Sequence, residues 1–281
     1  MGYSDILKPV IRLLATDLDG TFWGPDFVPP PEHVAAVDEL AHQDVTVLAA
    51  TSRRPRVTKQ RLGDHGLALP AVLIDGAVGI DFRTGERFHE AVFGAEAARD
   101  TLAAFQAHGL DPCLYVDDSE IDIAVSTSPS TCAQHLERLG RMAGTRDLAE
   151  TAMTMAVYAF SVLGLDREVL APLARELADA YGTTVVLFPE PDYGRFGLIV
   201  NPQGVSKWSG IEAYCTLYGI EPDEVAAVGD GLNDLEMLRQ AGVRIGVRGG
   251  CYEIVEMADF LIEPPERGGW HKLVGILESL R

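Results

Sequence analysis

Asp17-Leu18-Asp19-Gly20-Thr21 is the stretch whose reading decides the fold. It follows Ile11-Arg12-Leu13-Leu14-Ala15-Thr16, an apolar run of the length and branching expected of a buried strand. Gly20 then lets the backbone turn sharply. Two carboxylates are thus predicted at a strand's C-terminal end. Residues two apart on an extended chain point the same way, so Asp17 and Asp19 share a site if the strand continues that far. Like charges so close are costly unless a cation or a shared proton relieves them. Read alone, the stretch is equally an acidic turn after a strand, and its neighbours must decide.

Working outward, the same grammar repeats. Phe22 to Val28 and the prolines at 29, 30 and 31 form a loop, with Pro31 suited to a first helical turn. A helix is predicted from Glu32 to His42, a buried strand over Val45 to Ala50 ending at Thr51-Ser52, and a helix carrying Val57 and Leu62. A third short strand, Ala71 to Ile74, stops at Asp75-Gly76. Alternating strands and helices specify a parallel sheet with crossover helices, whose ligands lie beyond the C-terminal strand ends. Asp17, Thr51 and Asp75 would meet there.

The rhythm then changes. Paired strands around Arg83-Thr84-Gly85, a helix over 95–108, strands either side of the acidic turn Asp117-Asp118-Ser119-Glu120, a helix over 129–142, a strand over 154–163, a helix over 166–181 and strands near Val185 and Leu198 describe a separate α+β section. From Gly204 the first pattern returns, with a helix over 206–218 and the strand Val225 to Val228. Strands over 243–247 and 260–262, and helices between and after them, close the chain. The expected fold class is α/β: a Rossmann-like core of residues 1–82 and 202–281, interrupted by an α+β domain of residues 83–201.

Composition narrows the function. Hydrophobic residues make up 47% of the 281, enough for packed cores, and no apolar run reaches the length of a membrane span. The N-terminal Met1 to Ile6 has neither the basic-then-apolar pattern of a secretion signal nor a myristoylation signal, so a cytoplasmic protein is expected. Cys113, Cys132, Cys215 and Cys251 lack the close spacing of a zinc knuckle or redox pair. The formal charge of −19 disfavours nucleic-acid and acidic membrane partners. It also repels small phosphates, so an anionic substrate needs local positive charge from a metal or particular Lys and Arg residues. No stretch sets an oligomeric state.

The loop Gly229-Asp230-Gly231-Leu232-Asn233-Asp234 supplies the second half of the reading. It too follows an apolar strand, and its glycines let Asp230 approach a ligand closely. Asp17, Asp19 and Asp230 at neighbouring strand ends would form a hard oxygen cage suited to Mg²⁺, with Asp234, a helical turn on, supporting it from behind. A capping role for Asn233 or Asp234 is compatible with this. Lys207, the only lysine between Lys59 and Lys272, is a candidate phosphate contact, as are the hydroxyls of Thr51 and Ser52. Arg53, Arg54 and Arg195 are read equally as substrate contacts or solvated charges, and the scattered histidines as surface or helix-face residues.

Asp17 to Thr21, Ala50-Thr51-Ser52-Arg53, Gly204-Val205-Ser206-Lys207 and Gly229 to Asp234 resemble, in order, the four motifs of the haloacid dehalogenase superfamily. Asp17 and Thr51 are 34 positions apart, too few for an inserted cap, whereas 156 separate Thr51 from Lys207. That spacing resembles the Cof-type branch, whose large α/β cap lies in the second slot and whose members are mostly phosphatases of sugar phosphates or other small phosphomonoesters. The resemblance implies a Mg²⁺-dependent phosphatase in which Asp17 takes the phosphoryl group and Asp19 acts as acid and base. Metal binding would come from Asp17, Asp230 and the Asp19 backbone carbonyl. Thr51, Lys207 and Asn233 would bind phosphoryl oxygens, with Gly20, Ser52 and Arg53 completing the substrate-binding set, and the cap would close to exclude water. A small phosphorylated metabolite is the implied partner; a phosphomutase or a catalytically idle binding protein is the alternative on the same fold. Ser52 stands where the branch usually has Gly, Asp75-Gly76-Ala77 where it has Asn-Gly-Ala, and Arg248-Gly249-Gly250 where Gly-Asn-Ala is common.

Overall fold

The structure, a computed structural model, describes residues 10–190 and 193–281, so the Met1 to Ile6 reading lies outside the described residues. Two compact units emerge: one takes in the chain through His89 together with Lys207–Arg281, the other is Glu90–Ser206.

The chain enters the first unit through β1 (Leu13–Thr16), α1 (Pro31–His42), β2 (Thr46–Ala50), α2 (Pro55–Asp64), β3 (Pro70–Leu73), β4 (Val78–Asp81) and β5 (Arg87–Glu90). The second unit holds α3 (Ala95–Ala107), β6 (Cys113–Val116), β7 (Ile123–Val125), α4 (Ala133–Leu139), β8 (Ala143–Thr145), α5 (Leu148–Thr154), β9 (Val157–Leu165), α6 (Arg167–Ala180), β10 (Thr184–Glu190) and β11 (Arg195–Asn201). The return adds α7 (Lys207–Tyr218), β12 (Val225–Gly229), α8 (Leu235–Gln240), β13 (Val243–Val247), α9 (Tyr252–Met257), β14 (Phe260–Ile262) and α10 (Leu273–Glu278).

The first unit is the expected parallel α/β sheet. Its order is β14-β13-β12-β1-β2-β3-β4-β5, parallel from β14 to β3 and antiparallel between β3 and β4. β1 and β12 are buried throughout, as strands covered on both faces must be. After β1 the chain moves outward through β2 and β3, then returns on β1's other side through β12. The order therefore reverses at β1 and β12, and their C-terminal ends open the crevice where such sheets bind ligands. The unit boundaries fall at 89/90 and 206/207, a few residues beyond the expected 82/83 and 201/202, because β5 stays in this sheet.

The second unit is a six-stranded sheet in the order β10-β11-β9-β6-β7-β8, antiparallel except between β7 and β8. Phe105, Phe160, Leu170, Leu173 and Leu177 lie in a hydrophobic core lined only by residues of this unit. Leu13, Leu48, Ile211 and Met237 belong to a separate core in the first unit. Two elements differ from the sequence reading. The helix expected over 129–142 shrinks to α4, since Ser130 exchanges hydrogen bonds with the Asp111 backbone and Thr131 accepts from Leu163 N–H. The strand expected from Thr154 begins at Val157, because Asp147 caps α5 by accepting from Ala149 and Glu150 N–H at 2.9 and 3.0 Å. All four cysteines are free, Cys113 and Cys215 buried. Among the described residues no helix is long and apolar enough to cross a membrane.

Candidate active site

Asp17 directly follows β1, and its N–H still donates to Val228 of β12 at 2.9 Å. The ladder thus carries the carboxylate to the strand's end. Beneath it, Trp270 Nε1 donates to Thr16 Oγ1 at 2.9 Å, and Thr16 Oγ1 donates to the Asp17 carbonyl at 2.7 Å. A C-terminal indole therefore braces the peptide that bears Asp17.

Lys207 opens α7 with its side chain only 1% exposed. A cation is unfavourable both when buried and at a helix N-terminus, so it requires nearby anions. They are present: Nζ donates to Asp17 Oδ1 at 2.7 Å and to Asp234 Oδ1 at 2.5 Å. Burial pulls the ammonium toward neutrality, but Asp17 and Asp234 more than reverse this and hold it charged. Asp234 Oδ2 accepts from the N–H groups of Asp230 and Gly231 at 3.0 and 2.9 Å, which shapes the loop after β12.

Asp230 completes the cluster. Its Oδ1 accepts from Thr21 Oγ1 at 2.8 Å, a partner that sequence reasoning did not assign. Gly20, at φ +80°, is the close approach: a Cβ there would lie 2.6 Å from Asp230 Oδ2. One oxygen from each of Asp17, Asp230 and Asp234 falls within 4.8 Å of the others. Three carboxylates facing one ammonium leave an excess of negative charge. Burial pushes the Asp17 carboxyl well up, Lys207 opposes this, and Asp234, Asp230 and Asp19 add to the rise. Burial and then Asp234 push Asp230 up to about 6. An all-oxygen donor set with uncompensated charge fits a hard divalent cation such as Mg²⁺.

The Asp19 carboxylate has partners of its own. Arg53 grips its carboxylate with a two-pronged fork, Nε to Oδ2 at 2.6 Å and Nη2 to Oδ1 at 2.7 Å, and Trp23 Nε1 donates to Oδ1 at 2.9 Å. Arg53, expected to contact substrate, is here bonded to the acid/base candidate. Its guanidinium also lies 4.3 Å from the centre of the Phe27 ring, with Arg61 at 4.0 Å from the same ring. Trp23 and Phe27 carried no sequence signal beyond being aromatics in a loop.

Thr51, at the end of β2, is buried, and its Oγ1 accepts from Arg53 N–H at 3.2 Å. Ser52 donates its hydroxyl to Asp75 Oδ1 at 2.6 Å. Asn233 Nδ2 donates to Ser52 Oγ at 2.9 Å and to the same Asp75 oxygen at 3.0 Å. Asp75 is 6% exposed and follows Ile74 in left-handed backbone, at φ 51° for Ile74 and 52° for Asp75. For a β-branched residue this conformation costs about 1–3 kcal/mol. Ile74 N–H to Arg53 carbonyl at 3.1 Å and Asp75 N–H to Thr51 carbonyl at 3.3 Å hold it. Of the other sequence candidates, Arg195 is exposed and 3.6 Å from Asp166, and His33 is buried among Phe22, Trp270 and His271.

The family model of haloacid dehalogenase-like hydrolases matches residues 14–272. The chain belongs to this family. The hydrolase is 25% identical over 264 residues to the putative phosphatase YkrA of Bacillus subtilis, covering 92% of this chain and 94% of YkrA. Its fold matches BT1666, a phosphatase-superfamily protein of Bacteroides thetaiotaomicron, with TM-score 0.80, 18% identity, and 100% and 99% of the two chains covered. It also matches the subclass IIB sugar phosphatase BT4131, with TM-score 0.77, 20% identity, and coverage of 96% and 100%. All four sequence motifs of this hydrolase lie within the family match; three lie wholly in its first structural unit, and Gly204-Val205-Ser206-Lys207 contributes Lys207 to it.

Proposed function

We propose that this hydrolase is a Mg²⁺-dependent phosphatase of a small phosphomonoester, a sugar phosphate or related metabolite, working through an aspartyl-phosphate. The observation that carries the reading is the buried Lys207 ammonium bridging Asp17 and Asp234 with Asp230 alongside, all at the β1 and β12 strand ends. Phosphoryl transfer needs mainly in-line positioning and charge neutralisation, which such a cluster supplies. Four free thiols suit a reducing compartment and with it a cytoplasmic setting.

Asp17 attacks phosphorus through a carboxylate oxygen, forming the P–O bond of an aspartyl-phosphate while the ester P–O bond breaks. Asp19 gives its proton to the departing alcohol oxygen. In the second half Asp19 takes a proton from water as that water attacks phosphorus. The bond to Asp17 breaks, inorganic phosphate leaves and the carboxylate is restored. Lys207 offsets charge on Asp17 and on the phosphoryl oxygens, and the Thr51 hydroxyl donates to them. Mg²⁺, held by Asp17, Asp230 and the Asp19 backbone carbonyl, would supply further charge neutralisation on the phosphoryl group. The Arg53 fork on the Asp19 carboxylate competes with the proton that Asp19 carries in this cycle.

The test is phosphate release from a panel of phosphomonoesters with and without Mg²⁺, beside Asp17→Asn. A loss of more than about 10³-fold in kcat is expected for Asp17→Asn with unchanged far-ultraviolet circular dichroism. Wild-type turnover in that variant would overturn the covalent route. Absence of any ester hydrolysis by the wild type would overturn the phosphatase reading.

A further inference from the structure

The side-chain amide of Asn233 and the hydroxyl of Ser52 are already committed. Asn233 Nδ2 donates toward the adjacent pair Ser52 Oγ and Asp75 Oδ1, and its Oδ1 is turned toward Gly231, where an added Cβ would lie 2.7 Å away. Ser52 has a single hydroxyl hydrogen, and it goes to Asp75. The Ser52 hydroxyl therefore keeps no donor for a phosphoryl oxygen.

One carboxylate oxygen, Asp75 Oδ1, gathers both donors. We infer that Asp75 is a positioning residue that clamps Ser52 and Asn233, locking the loops after β2 and β12 to each other and fixing the orientation of the Asn233 amide. This inference rests on the phosphatase reading for what the clamp aligns, but the clamp itself is independent of that reading.

Two observations converge on it. The three residues come from three separate strand ends, β2, β3 and β12, so their bonds span the crevice and are not the local capping that any loop carboxylate can make. Asp75 is delivered by two consecutive non-glycine residues in left-handed backbone, and such a conformation persists only where surrounding contacts over-determine it. Those contacts are the hydrogen bonds from the same turn back to the Thr51 and Arg53 carbonyls, so the strained turn is tied to the loop its side chain clamps. Asp75 further sets a negative charge where Lys207 feels it, which the ammonium must offset along with Asp17 and Asp234.

Two variants separate geometry from charge. Asp75→Gly removes the carboxylate at a φ that glycine adopts freely, and Asp75→Asn keeps an acceptor oxygen at a φ that Asn tolerates. The readouts are the Asn233 side-chain amide resonances by ¹H–¹⁵N NMR, and kcat and KM for p-nitrophenyl phosphate, with thermal midpoints to establish folding. In wild type the Asn233 amide protons are expected to exchange slowly with solvent. They should become fast-exchanging in Asp75→Gly with kcat lowered about tenfold or more, while Asp75→Asn keeps both within about threefold. The KM of Asp75→Asn should fall, since a negative charge facing the phosphate is gone. Equal amide exchange in wild type and Asp75→Gly would overturn the clamp even if the enzyme is an active phosphatase. Slow exchange lost in Asp75→Gly, in a protein that hydrolyses no ester, would leave the clamp standing and overturn the phosphatase reading instead. Loss of activity in Asp75→Gly and Asp75→Asn alike, with slow exchange kept in the latter, would replace positioning with a requirement for the charge itself.

Discussion

Lys207 illustrates how one residue organises the cluster. Its ammonium touches two buried carboxylates and is itself 1% exposed, so no solvent screens the three charges. Replacing it by Met leaves Asp17 and Asp234 buried without a counter-charge, a loss of about 3–5 kcal/mol. The pH dependence identifies the cause. Asp17 sits above its ordinary value even beside Lys207, and removing that opposing charge raises it further. A carboxyl raised in the folded state stabilises below its unfolded value and loses that contribution as pH rises through the folded one. The thermal midpoint of Lys207→Met should therefore rise relative to wild type as pH is lowered from 8 to 5; parallel curves would refute this. At Asp230, held up to about 6 by burial and Asp234, protons compete with a metal. Apparent Mg²⁺ affinity should fall steeply below pH 6 and level off above pH 7, as titrations of phosphate release or calorimetry at each pH would show.

At the scale of elements, α1 is pinned to the loop after β1 by His33. Its Nδ1 donates to the Phe22 carbonyl at 2.9 Å, while Nε2 is buried with no partner among the described residues. A second proton would have no acceptor, and burial accordingly lowers the imidazole below its ordinary value, with the Phe22 carbonyl and Glu32 opposing and His271 assisting. The unfolded histidine takes up a proton near pH 6.5, so stability is complete above that value and lost as pH falls toward the folded one. The slope approaches about 1.4 kcal/mol per pH unit. His33→Asn, whose amide can still donate to Phe22, should flatten the wild-type fall in thermal midpoint between pH 6.5 and 5. An unchanged slope would place the acid sensitivity elsewhere. The same loop leads to Trp23 on Asp19, so α1 and the acid/base candidate share one support.

At the scale of the whole molecule, among the described residues the cluster around Phe160 and the cluster around Leu13 and Ile211 share no residue. Glu90–Ser206 has its own six-stranded sheet, its own buried aromatic cluster of Phe93, Phe105 and Phe160, and eighteen buried aliphatic residues packed with it. A unit of this size with a closed core meets the usual conditions for folding alone. Expressed as residues 90–206, it should unfold in a single cooperative transition with near-ultraviolet dichroism lost at the same temperature. A non-cooperative melt would show that it depends on the rest of the chain.

Much of this was legible in one dimension because local rules and tertiary structure agree. Runs such as Leu13 to Thr16 and Val225 to Val228, each followed by Gly and Asp, identify buried parallel strands and the crevice at their ends, the long insertion shows as a break in the strand–helix rhythm, and Lys207 stands out as a lone lysine where that rhythm resumes. The second unit was less legible. Ser130 and Thr131 left the α4 pattern for partners 19 and 32 positions away, and Asp147 capped a helix inside a stretch with no clear periodicity. The Asp17-Leu18-Asp19-Gly20-Thr21 stretch determined by itself that two carboxylates stand at a strand end. Only tertiary structure decided their different company, Lys207 for Asp17 and Arg53 for Asp19, and gathered Ser52 and Asn233 onto Asp75. The physical reason is that backbone periodicity is a property of neighbours in sequence. The partner of a buried charge is set by which distant strand ends the sheet order brings together.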